Sequence, residues 1–224
     1  MVAKVKNKSF EQWLYEDVER AFGLTRLRKH PRLEYLKTLP FPEKAYANKM
    51  HIVEALCLDL LDNVDSWNED EVKFMFISPI IAMVEYKSAY YKVFTQRPMS
   101  VGYENGTKTT NGKVEFMLAT GKQIPRKPFF FLHEYKQENR RDNDPLGQLL
   151  IAMVAAQTQN ADEKPLFGCY VSGRNWFFVI LDGEKYAVSP AYDATDDVKI
   201  KQILAILSYF KEQAEAYFMA QSNT

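Results

Sequence analysis

Pro128-Phe129-Phe130-Phe131-Leu132-His133-Glu134-Tyr135-Lys136 is an apolar run that ends in an acid and a base two residues apart. Aromatic and branched residues in a short run, flanked by proline and polar residues, predict a buried strand. Side chains alternate along a strand, so Phe130, Leu132, Glu134 and Lys136 are expected on one side and Phe129, Phe131, His133 and Tyr135 on the other. A carboxylate and an ammonium then stand together where a buried strand surfaces. Taken alone, such a pair is a solvated strand-end contact worth about 0–1 kcal/mol. What surrounds it in the chain decides whether it does more.

Upstream, residues 90–96, 99–103 and 113–119 read as strands, with 104–112 as a polar turn. In 113–119, Val114, Phe116 and Leu118 alternate with Glu115 and Met117, and Gly121 and Pro125 mark the turn that follows. An antiparallel pairing would bring Glu115 near Glu134. Downstream, 137–143 is a charged loop, and Asp144-Pro145 opens a helix over 146–157 with a carboxylate cap and proline in the first turn. Strands follow at 166–171 and 176–181, joined at Ser172-Gly173-Arg174-Asn175, then a strand at 186–189 and a last helix over 196–217.

The first third reads as helical. Residues 9–23 carry a capping box at Ser9 and Gln12 and a stop at Gly23. A connector over 24–42 holds a short helix at 33–39, and helices are expected over 43–63 and 69–85, with Pro79 kinking or dividing the latter. The order predicts an α/β fold, a mixed central sheet flanked by helices, with a helical N-terminal extension over 1–67 and an α/β core over 68–224.

Lys and Arg total 29 against 29 Asp and Glu, so contact with nucleic acid would need a local basic patch. Cys57 and Cys169 have no metal-type spacing and fit a reducing compartment. Lys4, Lys6 and Lys8 precede Ser9 without the apolar segment of a signal peptide, and no window approaches the roughly 18 apolar residues of a membrane helix. A soluble, cytoplasmic protein is expected.

Two carboxylates meeting at Glu115 and Glu134 would create excess negative charge that a divalent cation neutralises, and oxygen-only ligands suit Mg²⁺ or Mn²⁺. Lys136 would steady an attacking water or the charge of a transition state, and Gln148 would orient Lys136 or contact the phosphate.

The segments Gly112-Lys113-Val114-Glu115-Phe116, Phe131-Leu132-His133-Glu134-Tyr135-Lys136 and Gly147-Gln148-Leu149-Leu150 together resemble the PD-(D/E)XK nuclease superfamily. Phe167-Gly168-Cys169-Tyr170-Val171-Ser172-Gly173 with Trp176, and Asn68-Glu69-Asp70-Glu71 leading to Phe76-Ile77-Ser78-Pro79-Ile80-Ile81, are similar to the nuclease domain of type I restriction enzyme subunits. The resemblance spans about residues 68–182. It implies a restriction-endonuclease-like core, Glu115 and Glu134 as metal ligands with the Tyr135 carbonyl, Lys136 as catalytic lysine, Gln148 as the motif glutamine and Glu71 as the acid of the first core helix. Glu69 is the neighbour with which Glu71 is most easily confused. The family usually carries Asp where Glu115 stands, one methylene shorter.

The implied activity is Mg²⁺-dependent hydrolysis of nucleic-acid phosphodiesters, DNA first, in restriction, defence or repair. The alternative is a decayed nuclease fold that binds nucleic acid or a protein partner. A third is an assembly subunit whose helices over 9–63 dock a partner or a second copy of the chain. Arg140 and Arg141, and a second cluster of Lys122, Arg126 and Lys127, are the candidate nucleic-acid contacts; both clusters flanking one groove would supply the missing positive patch. His133 reads as a packed histidine rather than a ligand.

Overall fold

The computed structural model describes residues 8–136 and 144–222. A 3₁₀ turn at Phe10–Gln12 precedes α1 (Tyr15–Phe22), β1 (Thr25–Arg26), α2 (Pro31–Leu36), α3 (Glu43–Tyr46) and α4 (Met50–Asn63). Next come α5 (Glu69–Val72), a π-helical turn (Lys73–Ile77) and α6 (Ser78–Val84). Strands β2 (Lys92–Tyr103), β3 (Lys108–Thr120) and β4 (Arg126–Lys136) lead to α7 (Pro145–Asn160). Then follow β5 (Leu166–Ser172), β6 (Asn175–Asp182), β7 (Lys185–Val188), β8 (Tyr192–Asp193) and α8 (Asp197–Ser222).

The strands form one mixed sheet in the order β1-β7-β6-β5-β4-β3-β2, with β8 on β6. β4 and β5 run parallel and α7 lies between them in sequence, because a parallel pair needs a long crossover. One face is covered by α7, α1 and the 3₁₀ turn, through Phe10, Trp13, Val18, Leu150 and Met153. The other is covered by α4 to α6 and α8, through Leu60, Phe76, Ile80, Leu204 and Phe210. The fold is thus α/β, with helices on both faces of a mixed sheet. Residues before 68 enter both layers: Trp13 Nε1 donates to Thr110 Oγ1 at 2.9 Å, and β1 extends the same sheet.

Several elements depart from the sequence reading, each for a local reason. The segments at 90–96 and 99–103 are one strand, since Pro98 lies on the sheet's edge strand, where a missing N–H is tolerated. The 104–112 turn contracts to residues 104–107, at which Glu104, Asn105 and Gly106 all have positive φ, and β3 begins at Lys108. The helix expected over 43–63 breaks into α3 and α4, and the one over 9–23 into a 3₁₀ turn and α1, which ends on Gly23 at φ 66°. The 69–85 helix runs on as α5, π turn and α6. The wide turn falls just before Pro79, which has no N–H to continue an α ladder.

The decisive strand is irregular too. Met117 pairs with Leu132 and Ala119 with Phe129, so Phe130 and Phe131 together oppose Leu118 in a β-bulge. Phe129 therefore enters the α7 layer while Phe130 and Phe131 both enter the α8 layer. The expected alternation holds only beyond the bulge, where His133 meets Phe131 at 4.1 Å and Tyr135 at 5.6 Å between ring centroids. Glu134 and Lys136 point the opposite way.

Candidate functional site

The carboxyl end of β4 gathers charge. Glu134 Oε1 lies 3.1 Å from Lys136 Nζ, and Lys136 Nζ lies 3.4 Å from both carboxylate oxygens of Glu69. Pairing of Phe116 with His133 places Glu115 and Glu134 one step further along the same register, on neighbouring strands. Glu115 Oε2 meets Lys73 Nζ at 2.7 Å and accepts from Gln96 Nε2 at 2.6 Å. Gln96 holds φ 53°, a conformation rare outside glycine, within the edge strand β2. Lys73 also lies 6.0 Å over the Tyr135 ring. A cavity of about 510 Å³ opens beside this pair, with Tyr86, Phe116 and Tyr135 among its walls.

Burial sets the electrostatics. Glu134 is 6% exposed, and loss of water pushes its carboxyl up from 4.5 to about 7, against the attraction of Lys136 and aided by Glu115 and Glu69. Burial pulls Lys136 down, but Glu134 and Glu69 outweigh it and hold the ammonium above its ordinary range. Glu69, Glu115 and Glu134 thus face the ammonium groups of Lys73 and Lys136, and the exposed Asp70 lies 3.7 Å from Lys73. The cluster carries excess negative charge, which protonation of Glu134 reduces.

The predicted residues fall into three groups. Glu115, Glu134 and Lys136 come together as expected. Gln148 is buried at 3% exposure in the first turns of α7, and among the described residues its Nε2 has no hydrogen-bond partner. Glu71 does not reach the strand: its Oε2 accepts from the Asn68 N–H at 2.7 Å, closing the capping box that starts α5. The acid that reaches Lys136 is Glu69. Two residues at the site went unread, Lys73 and Gln96. Lys73 was findable, since Glu69 and Lys73 are four apart on one helix and share a face.

Only one of the two basic clusters falls within the described residues. Arg140 and Arg141 lie outside the described residues. Lys122, Arg126 and Lys127 are exposed at the opposite end of β4. Eight residue steps from Arg126 to Glu134 amount to roughly 26 Å of strand. His133 is a core residue: burial among Phe116, Phe131 and Trp176 lowers it to about 3, so it stays neutral. The thiols of Cys57 and Cys169 are buried, and burial raises both.

Among the described residues no three acidic, histidine or cysteine side chains form a group able to hold a metal ion by themselves. The donor set still fits a hard cation in its chemistry. Glu115 and Glu134 are carboxylates on adjacent strands, and Mg²⁺ takes few protein oxygens and keeps its waters. Each carboxylate meets an ammonium group, Glu115 that of Lys73 and Glu134 that of Lys136. No helix among the described residues is long and apolar enough to cross a membrane. The chain matches no known family and no curated protein.

Proposed function

We propose that the protein is a divalent-metal-dependent nuclease that hydrolyses phosphodiester bonds of nucleic acid, DNA in the first instance, at the carboxyl end of β4. The observation that carries this reading is the buried Glu134, raised to about 7 beside a cationic Lys136 and one strand from Glu115. Strongly shifted acids beside a fixed charge partner are what acid–base and metal sites require. The order β3, β4, α7, β5, with β4 and β5 parallel, supports a restriction-endonuclease-like core.

Glu115 and Glu134 would hold Mg²⁺ or Mn²⁺. When bound, the cation would neutralise phosphate charge and make a water more acidic. Lys136, fixed by Glu69 and Glu134, directs positive charge at the phosphate. With a cation bound, Glu134 would be held in its ionised form. Lys73 holds Glu115 in place and would compete with a cation for it.

Incubation of the full chain with single- and double-stranded DNA and RNA, in Mg²⁺ or Mn²⁺, tests the reading. Cleavage that is lost in both Glu134→Gln and Lys136→Met is expected. No cleavage of any of these substrates with either metal would overturn it.

A second reading is favoured by one observation: Glu115 is already satisfied by Lys73 and Gln96. On that reading the fold has lost catalysis and serves as a binding module. Cleavage that appears only in Glu115→Asp would support it.

A further inference from the structure

The turn between β3 and β4 carries a second charged feature. Gly121 has φ +104°, and a Cβ there would come within 2.2 Å of the Ile124 carbonyl oxygen, so the turn accepts only glycine. Thr120 Oγ1 donates to the carbonyls of Arg126 at 3.1 Å and Lys127 at 2.9 Å, which ties the two ends of the turn together. A cleft of about 740 Å³ lies between this turn and residues 89–92. Lys92, Lys122 and Arg126 line it, with Tyr90, Tyr91 and Ile124, and among the described residues no acidic one is in its walls.

Some lysines elsewhere pair with acids, as Lys8 does with Asp17, Lys49 with Glu85 and Lys108 with Glu104. Around this cleft, among the described residues, none of the three cations has a carboxylate within ion-pair distance. Like charges converging on a concave surface repel one another, and an anionic ligand relieves that repulsion. Tyr90 is 37% exposed and Ile124 73% exposed, giving ring and aliphatic surface next to the cations. Positive charge with aromatic surface is the pattern that holds a single strand, phosphates on the cations and bases stacked on the rings.

We infer that this cleft binds a single strand of nucleic acid, with phosphates on Lys92, Lys122 and Arg126 and bases against Tyr90 and Ile124. It lies roughly 26 Å of strand away from Glu134, so it anchors the ligand without touching the reacting atoms. The inference rests on the proposed function only for nucleic acid as the ligand class, and binding is measured without cleavage.

The test is fluorescence anisotropy of the full chain with labelled oligothymidine of about 12 nucleotides, in chelator. Three phosphate contacts predict log K falling with log salt at a slope of roughly −2. Lys122→Gln and Arg126→Gln should each weaken binding roughly fivefold near 0.1 M salt, and each should flatten the slope by about 0.7. Tyr90→Ala should cost about fivefold or more. Lys185→Gln, which removes an exposed lysine on β7 far across the sheet from the cleft, should bind like the parent. Binding that ignores Lys122, Arg126 and Tyr90 overturns the inference. So does duplex binding equal to the single strand and indifferent to Tyr90, or equally tight competition by inorganic phosphate, which would mark an isolated phosphate pocket. If no cleavage occurs in Mg²⁺ yet these binding results hold, the nuclease reading fails and the cleft stands.

Discussion

Replacing Glu134 with glutamine should stabilise the protein at pH 8 and change it little at pH 5. The carboxyl ionises at about 7 in the fold and at 4.5 when freed from it, because burial disfavours the charge more than Lys136 favours it. Between those values the folded chain holds a proton that the unfolded chain does not, so stability falls as pH rises through the window and the loss is complete above 7. At about 1.4 kcal/mol for each pKa unit, the full loss is roughly 3 kcal/mol, and at pH 5 it is roughly 1 kcal/mol. Glutamine has the shape of the neutral acid and never ionises, so it removes that loss. Urea unfolding in chelator at both pH values measures it. A gain near 3 kcal/mol at pH 8, about 5–10 °C in Tm for a chain of this size, should shrink to under about 1 kcal/mol at pH 5. An equal effect at the two pH values, or a less stable variant at pH 8, would refute the reasoning. The latter would mean that Lys136 stabilises an ionised Glu134.

Three further substitutions probe the surroundings. His133, lowered to about 3, stays neutral in the fold while the unfolded chain takes its proton below 6.5, so it costs about 2 kcal/mol at pH 5. His133→Phe should remove that acid sensitivity between pH 7.5 and 5 in urea titrations. Gly147→Ala would bring a Cβ within 2.3 Å of the Trp13 carbonyl oxygen, where backbone must yield, and should lose about 2–3 kcal/mol by denaturant unfolding. Lys73→Met keeps the stem but removes the ammonium on Glu115, and Mn²⁺ affinity measured by titration should rise severalfold. Unchanged affinity would show that the two do not compete.

Much of the fold was legible because it obeys simple periods. Asp144-Pro145 announced α7, where Asp144 Oδ1 accepts from the Gly147 N–H at 3.0 Å. The run from Leu166 and the turn at Gly173 announced the β5–β6 hairpin, and period two placed Glu115 beside Glu134. The bulge at Phe130 and Phe131 was not legible, since three consecutive phenylalanines fit either face of a strand sandwiched between two helical layers. β1 and β8 are two residues each, too short to show a period.

At the site, Glu69 and Glu71 share one helical turn, and sequence cannot say which serves the cap. Asn68 decides it by drawing Glu71 back to its own N–H, which leaves Glu69 free to reach Lys136. Gln96 escaped notice because its role depends on an unusual backbone angle within an edge strand. The Lys122, Arg126 and Lys127 cluster was legible as a basic turn, and it lies at the start of β4, a strand's length from Glu134.

Calorimetric titration of Mn²⁺ at pH 7, run in two buffers of different ionisation enthalpy, tests the central claim that Glu115 and Glu134 form a hard-cation site. With Glu134 near 7, roughly half of it is protonated, so binding should release about half a proton per cation. Glu134→Gln should abolish that release and most of the affinity. No Mn²⁺ binding, or binding whose proton release persists in Glu134→Gln, would contradict the account.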